Sequence, residues 1–354
     1  MPQHPAIALA IALAVTPALL LLPAIAAAQP VESSRPRHTI DLVLFRGCED
    51  ACRGFIDWFS NRNIAVDIRQ HDAAQSMDRL EEIVASLRAA PPDLVVTWGT
   101  RTAQAVFGPA DAVDPAVHVV GVPGVFMVVS QPVASGLVRD LTAPGRPLTG
   151  SLYLTDVREQ LDTATAYFGS RRTTPWDRTD GISHIGTLYN PAEPNALINI
   201  DQLTEETRRR GLSLTALPVP LDDTGVPSAQ DIARLVADLA SAGVDLIYQP
   251  ADTFLNVNRH PLTAAALSLR LPVLAAGEAP VRSGHALLGL VYRYHDIGRL
   301  TARLAHRVLE GADPASIPIV APPQPALIVN QATAEDLDLP PGPAMARFIE
   351  FVRP

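Results

Sequence analysis

The chain is poor in cysteine, in aromatic residues and in positive charge. It carries 2 cysteines, aromatics make up 5% of its residues, and 28 basic residues stand against 37 acidic ones, a net charge of -9. So few cysteines exclude a disulfide-built scaffold, and with no His or Cys cluster beside them they exclude a structural zinc site. The acid excess argues against a nucleic-acid or anionic-membrane partner, and solubility is its ordinary role. The signatures of common chemistries are absent as well: no Gly-x-Ser-x-Gly elbow, no phosphate loop ending in Gly-Lys-Ser/Thr, no His-Glu-x-x-His, no Gly-x-Gly-x-x-Gly after the first apolar run. His295 and Asp296 resemble a base with its orienter, yet no nucleophile accompanies them, so catalysis is not expected and neither cofactor nor metal is implied.

What is present begins with a charge-free apolar run over residues 6–28, ending in Ala26-Ala27-Ala28 before Gln29. Small residues at that spacing suit a signal peptidase, and Pro17, Pro23 and Pro30 weigh against a retained anchor. Residues 1–28 are therefore expected to be a cleaved signal peptide and the mature chain to be secreted to the periplasm, although the first residues lack the usual Lys or Arg. In an oxidising compartment Cys48 and Cys52 pair if the local backbone brings them within reach; four-residue spacing inside a regular helix is poor geometry, and both outcomes stay open.

Beyond the leader, short runs rich in Val, Ile and Leu alternate with helical patterns. The expected strands are 39–45, 93–97, 117–122, 185–189, 213–219, 245–248, 272–276 and 286–291. Such alternation predicts an α/β fold of parallel strands joined by right-handed crossovers. Ser228 and Asp231 read as a capping-box start to a helix that Gly243 stops, and a second helix runs from Asp296 to Gly311. The length exceeds one typical core and fits two lobes, with the Pro- and Gly-rich loop 142–147 as the expected boundary.

Four turns at strand ends carry polar groups, and in an open parallel sheet ligands gather at those ends. Arg46 to Asp50 follow the first strand. Trp98, Gly99, Thr100 and Thr102 follow the second, where Gly99 permits close approach and Thr100 can cap a helix beginning near Thr102. Tyr189, Asn190, Glu193 and Asn195 precede a helix whose free amides favour an anion. The last turn, in VDLIYQPADTFLN (244–256), sets Asp252, Thr253 and Asn256 after a buried-looking strand. Each has a plain structural reading: Thr100 and Asn195 as caps, Arg46 and Glu49 as solvated charges, Trp98 as core. Recurrence at equivalent ends is what argues for one shared cleft.

The ordered series TWGTRTAQAV (97–106), PVASGLV (132–138), APGRPLTG (143–150), GTLYNPAEPNA (186–196), DLIYQPADT (245–253), LPVLA (271–275), LEGADPASIP (309–318) and LIVNQATAEDL (327–337) resembles the ABC transporter substrate-binding proteins of the tryptophan/tyrosine-type uptake family. That resemblance implies a type I periplasmic-binding fold, two Rossmann-like lobes hinged by three crossovers: lobe one 37–144 plus 285–312, lobe two 145–284 plus 313–354. It also implies an aromatic amino acid as ligand. Its carboxylate would sit at Thr100, Thr102 or Asn195, its ammonium on Asp252, since a buried cation without a counter-charge is costly, and its ring on Trp98 or Tyr189, with Tyr292 on the far wall. The full expected ligand-binding set is Arg46, Trp98, Gly99, Thr100, Thr102, Ser130, Tyr189, Asn190, Glu193, Asn195, Asp252, Thr253, Glu278 and Tyr292. Three departures stand out: Gln131-Pro132-Val133 where the family commonly has Asp-Pro-Val, Ala196 where Ser is frequent, and the CEDAC segment at 48–52.

These readings point to a monomeric, non-enzymatic solute-binding component that hands a small organic ligand to an ABC permease. A ligand-sensing subunit of a signalling system needs the same cleft with another partner. An enzyme using Glu193, Asp252 or Glu278 as general acid-base is the third class.

Overall fold

The computed structural model of the chain describes residues 38–169 and 181–353. The expected signal peptide lies outside the described residues. Among those residues, no helix is long and apolar enough to cross a membrane.

Two sheets form the core. The first contains β1 (His38–Leu44), β2 (Val66–Asp72), β3 (Leu94–Trp98), β4 (Gly124–Val129) and β5 (Leu148–Leu152), all parallel in the order β2-β1-β3-β4-β5. The second contains β6 (His184–Tyr189), β7 (Ser213–Pro218), β8 (Leu246–Gln249), β9 (Val273–Ala275), β10 (Leu288–Val291), β11 (Ala326–Asn330) and β12 (Ile349–Val352), in the order β12-β11-β10-β9-β8-β6-β7. Only the β10–β11 pair is antiparallel. The α/β class and the doubly covered parallel sheets are as the sequence implied.

Alternate side chains of each strand feed cores on opposite faces, as the two-residue period of a strand requires. Leu42 and Leu44 join Phe55 and Phe59 on one face of the first sheet, while Val43 joins Leu80 and Phe107 on the other. In the second sheet Ile247 and Val273 face Ile232 and Leu262, and Tyr248 and Leu274 face Leu161 and Leu203.

The chain passes between the sheets three times, but not where the loop signals placed the changeover. β5 pairs with β4, so the first sheet ends after Leu152 and not at Gly145. β10, expected in lobe one, pairs with β9 and β11 in the second sheet; the short Ala279–Arg282 helix leaves consecutive strands side by side. The Tyr294–Leu309 helix returns to the first core, Ile317 and Ile319 stay with it, and Val320 still bridges Ser151, so the last passage falls between Val320 and β11. Residues 285–293 therefore belong with the second sheet and 313–320 with the first.

One expected strand is displaced. Residues 117–122 form no strand, and β4 begins at Gly124. Val117 and Val120 are largely exposed, whereas every residue of β4 is buried. Near its end Val128 takes φ 58° where the β4–β5 register shifts, a left-handed conformation that a β-branched residue adopts only under constraint. Ser130 follows directly.

Candidate ligand-binding cleft

The turn after β8 is built around Asp252. Its Oδ1 accepts from Leu255 N (2.9 Å), capping the Thr253–Val257 helix, and its Oδ2 accepts from Asn190 N (2.6 Å) in the turn after β6. Two loops are thus tied through one carboxylate that is almost wholly buried. Glu193, equally buried, accepts from Thr253 N (2.9 Å) and from the Thr253 hydroxyl. Asn195 donates its amide to the Ala251 carbonyl (2.7 Å), and Asn199 Oδ1 accepts from Ala251 N (3.0 Å). Asn195 is not a cap: Glu193 is the N-cap of the Pro194–Arg210 helix, and Asn195, inside it, braces the neighbouring turn.

Burial pushes the Asp252 carboxyl up to about 7, with the Glu193 carboxylate adding to the rise and the amides of Leu255 and Asn190 opposing it. Two buried carboxyl groups thus share one turn, each accepting from backbone amides.

The opposite wall comes from the first sheet. Arg46, just past β1, lays its guanidinium 4.5 Å from the centroid of the Trp98 ring and pairs with Glu49 at 2.8 Å. With the Asn256 amide oriented so that its oxygen faces Arg46, that oxygen accepts from Nη1 at 3.0 Å and Nη2 at 2.7 Å. Asn256 lies in the helix that Asp252 caps, so this contact joins the two halves. Arg46 is neither solvated nor free, since only 5% of its side chain is exposed. Gly99 is the N-cap of the Thr100–Phe107 helix at φ 86°, a conformation that favours glycine; Thr100 is the first helical residue and caps nothing.

Several polar atoms at these loops are buried with no partner: Trp98 Nε1, Thr102 Oγ1, Asn190 Nδ2 and Arg46 Nε. Buried donors are rarely left without a partner. Between the walls, Tyr153 and Tyr294 meet edge to face at 6.1 Å. Burial raises the pKa of both hydroxyls; for Tyr153 the neighbouring Tyr294 and Glu193 add to the rise while Arg46 opposes it, and for Tyr294 Arg46 opposes it and Glu49 adds. These tyrosines escaped the sequence reading because they stand at chain passages between the sheets, not at polar turns. Arg259 was missed too; it donates to the Asn256 carbonyl (2.9 Å) and Ser283 Oγ (2.8 Å).

Not every expected residue joins this cluster. Glu278 is committed elsewhere: it accepts from Tyr294 N at the start of the returning helix and pairs with Arg282, which also binds Glu350. Ser130 lines a separate cavity of about 650 Å³ between the 130–133 loop, the first passage near Thr155 and the far half of the Pro194–Arg210 helix. Tyr292 packs against the first core, with burial and then Glu159 raising its hydroxyl pKa. Tyr189 ends β6 half-buried. The cluster of buried charge and aromatic faces, rather than the 650 Å³ cavity, holds the chemistry to orient a small molecule. Among the described residues no three His, Cys, Asp or Glu side chains are grouped to hold a metal.

The family model for ABC transporter substrate binding proteins matches residues 46–341. A tyrosine-binding protein of Clostridioides difficile (strain R20291) is 23% identical over 304 residues, covering 84% of this chain and 79% of that protein. Among solved structures, an ABC domain from Streptococcus pneumonia in complex with L-Trp is similar with a TM-score of 0.73 at 22% identity, covering 89% of this chain and 99% of that one. The ligand-free, open structure of a substrate-binding protein with adhesive properties from Clostridium difficile is similar with a TM-score of 0.65 at 21% identity, over 89% and 99% of the two chains. At such identities the structural likeness carries the fold, a type I periplasmic-binding architecture, and the family match carries membership. With the match running across both sheets and every loop of the cleft, this chain belongs to the ABC transporter substrate-binding protein family.

Proposed function

We propose that the protein captures an aromatic amino acid between its two sheets and delivers it to an ABC importer outside the cytoplasm. The observation that carries this reading is a charge pattern: Glu193 and Asp252 on one wall oppose Arg46, stacked on Trp98, on the other. A zwitterion satisfies both walls at once, its ammonium on the carboxylates and its carboxylate on Arg46 and the unpartnered Thr102 hydroxyl. Tyr153 and Tyr294 supply aromatic faces for its side chain. The C. difficile relative named for tyrosine binding and the L-Trp complex support the ligand class.

The expected carboxylate partners shift accordingly. Asn195 spends its amide on Ala251, so Arg46 and Thr102 take the role that Thr100 and Asn195 were assigned. Capture without turnover is part of the proposal, because Glu278 is held by Tyr294 N and Arg282 and Asp252 by backbone amides.

The test is a thermal-shift panel of L-Trp, L-Tyr, L-Lys and a hexose on residues 29–354. A ligand at a hundred times its dissociation constant adds about 2.7 kcal/mol of stability. L-Trp or L-Tyr is expected to raise the melting temperature and to be recovered unchanged; Glu193→Gln should reduce the rise. A response to the hexose alone would overturn the reading.

A further inference from the structure

The Cys48–Cys52 pair forms a disulfide with Cα atoms 5.1 Å apart. The geometric objection to this spacing fails because only Cys52 is helical: the helix Asp50–Ser60 has Glu49 as its N-cap, and Cys48 precedes it. The bridge therefore clamps a turn onto the first turn of a helix. Its place in the chain matters more than its formation, for Arg46 lies two residues before Cys48 and its ion-pair partner Glu49 one residue after.

Beside the bridge, the loop is held by noncovalent contacts alone, among them those of Arg46 with Trp98, Glu49 and Asn256. Glu49 makes no side-chain cap, because its carboxylate is turned to Arg46. Gly47, at φ 84°, is anchored by its amide on Asp72 Oδ1 (3.0 Å), and the Cys48 carbonyl accepts from an exposed Arg53 (3.1 Å). Cys52, by contrast, is fully buried in the core against which Phe55 and Phe59 pack. The covalent link thus ties the turn to a buried core residue, where an ordinary helix would use a polar cap.

We propose that Cys48 and Cys52 are positioning residues for ligand capture: their disulfide holds the Arg46–Glu49 turn so that Arg46 stays over Trp98 and within reach of Asn256. This rests on the reading of Arg46 as the cation of the cleft. Reduction by dithiothreitol breaks the S–S bond, gives each sulfur a hydrogen and oxidises the reagent to its cyclic disulfide, leaving two thiols and an unclamped turn.

The experiment compares the oxidised protein, the dithiothreitol-reduced protein and the Cys48→Ser/Cys52→Ser variant by calorimetric titration with L-Trp and L-Tyr and by amide hydrogen exchange. Reduction is expected to weaken binding about tenfold, the effect of misplacing one charged hydrogen-bonding group. Exchange should quicken at residues 46–49 while β1 and β3 keep their protection. In an Arg46→Ala background reduction should bring no further loss of affinity, which a purely stabilising bridge would not predict. Unchanged exchange at 46–49, or quickened exchange with unaltered affinity, overturns the proposal. If the oxidised protein binds neither amino acid, the ligand reading fails, and the exchange result alone decides whether the bridge positions the turn.

Discussion

Asp252 does two jobs that pull its chemistry in opposite directions. As a cap it accepts two backbone amides, which favours the carboxylate; buried beside Glu193 it is pushed toward the protonated form and up to about 7. The folded chain therefore keeps a proton here that the unfolded chain releases near 3.8. Between those two values the native state binds more protons than the unfolded state, so this group's contribution to stability falls as pH rises through that window. Relative to Asp252→Asn, which retains the capping oxygen, the wild type should lose unfolding free energy between pH 4 and 7, about the limits just given. Urea melts of both proteins across that range test it, and parallel curves would remove the coupling. The ligand trend runs the other way, because an ammonium partner needs the ionised form: affinity should climb as pH approaches 7. The sequence marked Asp252 as a site residue from its place at a strand end, but could not show that its oxygens were already engaged. That is a matter of which turn lies beside it, and Asn190 is 62 residues away.

Among the described glycines, the two closest approaches to neighbouring backbone fall between one pair of helices. Helix Asp50–Ser60 crosses helix Tyr294–Leu309 so closely that a Cβ on Gly298 would overlap the Ala51 carbonyl, and one on Gly54 the carbonyl of His295. The contact sets the returning helix, and with it Tyr294 at the cleft, against the first sheet. Gly298→Val should destabilise the protein by about 1–3 kcal/mol or more, read as a lower urea midpoint with unchanged slope. An unaltered midpoint would mean the two helices do not pack this way. Element by element, β1, β3, β6, β7, β8, β9 and β10 stand within two residues of the expected strands, whereas β11, ALIVN and wholly buried, was not expected: its apolar run is short and flows directly into the helical pattern at Gln331. The edge strand β2 was not, because VDIRQHD alternates and turns Arg69 and His71 outward to Asp41. Leu148–Leu152 reads LTGSL, too poor in apolar residues to announce a strand, and missing it moved the lobe boundary to the preceding loop. Between the apolar runs 117–122 and 124–129, local pattern gave no ground for choosing; only burial distinguishes them.

Across the whole molecule, the three passages make a hinge and the contact between Arg46 and Asn256 makes a clasp. Arg46 follows the first sheet's β1, where Glu49 and Trp98 already hold it, and Asn256 stands on a helix of the second, so their hydrogen bonds are made across the two halves. A hydrogen bond to a charged group contributes roughly 1.5–3 kcal/mol, enough to move an open-to-closed equilibrium tenfold or more. Asn256→Ala should therefore populate the open form in the absence of ligand. Small-angle scattering would register this as a larger radius of gyration than the wild type, converging on the wild-type value once saturating L-Trp draws the halves together. Affinity should fall by the same factor as the closed population, because a ligand that needs both walls bears the cost of closing them. The unfolding midpoint, set by four cores that Asn256 does not enter, should hardly move. A variant whose radius and affinity both match the wild type would show that Arg46 and Asn256 merely lie near each other, and that closure is governed by the ligand alone.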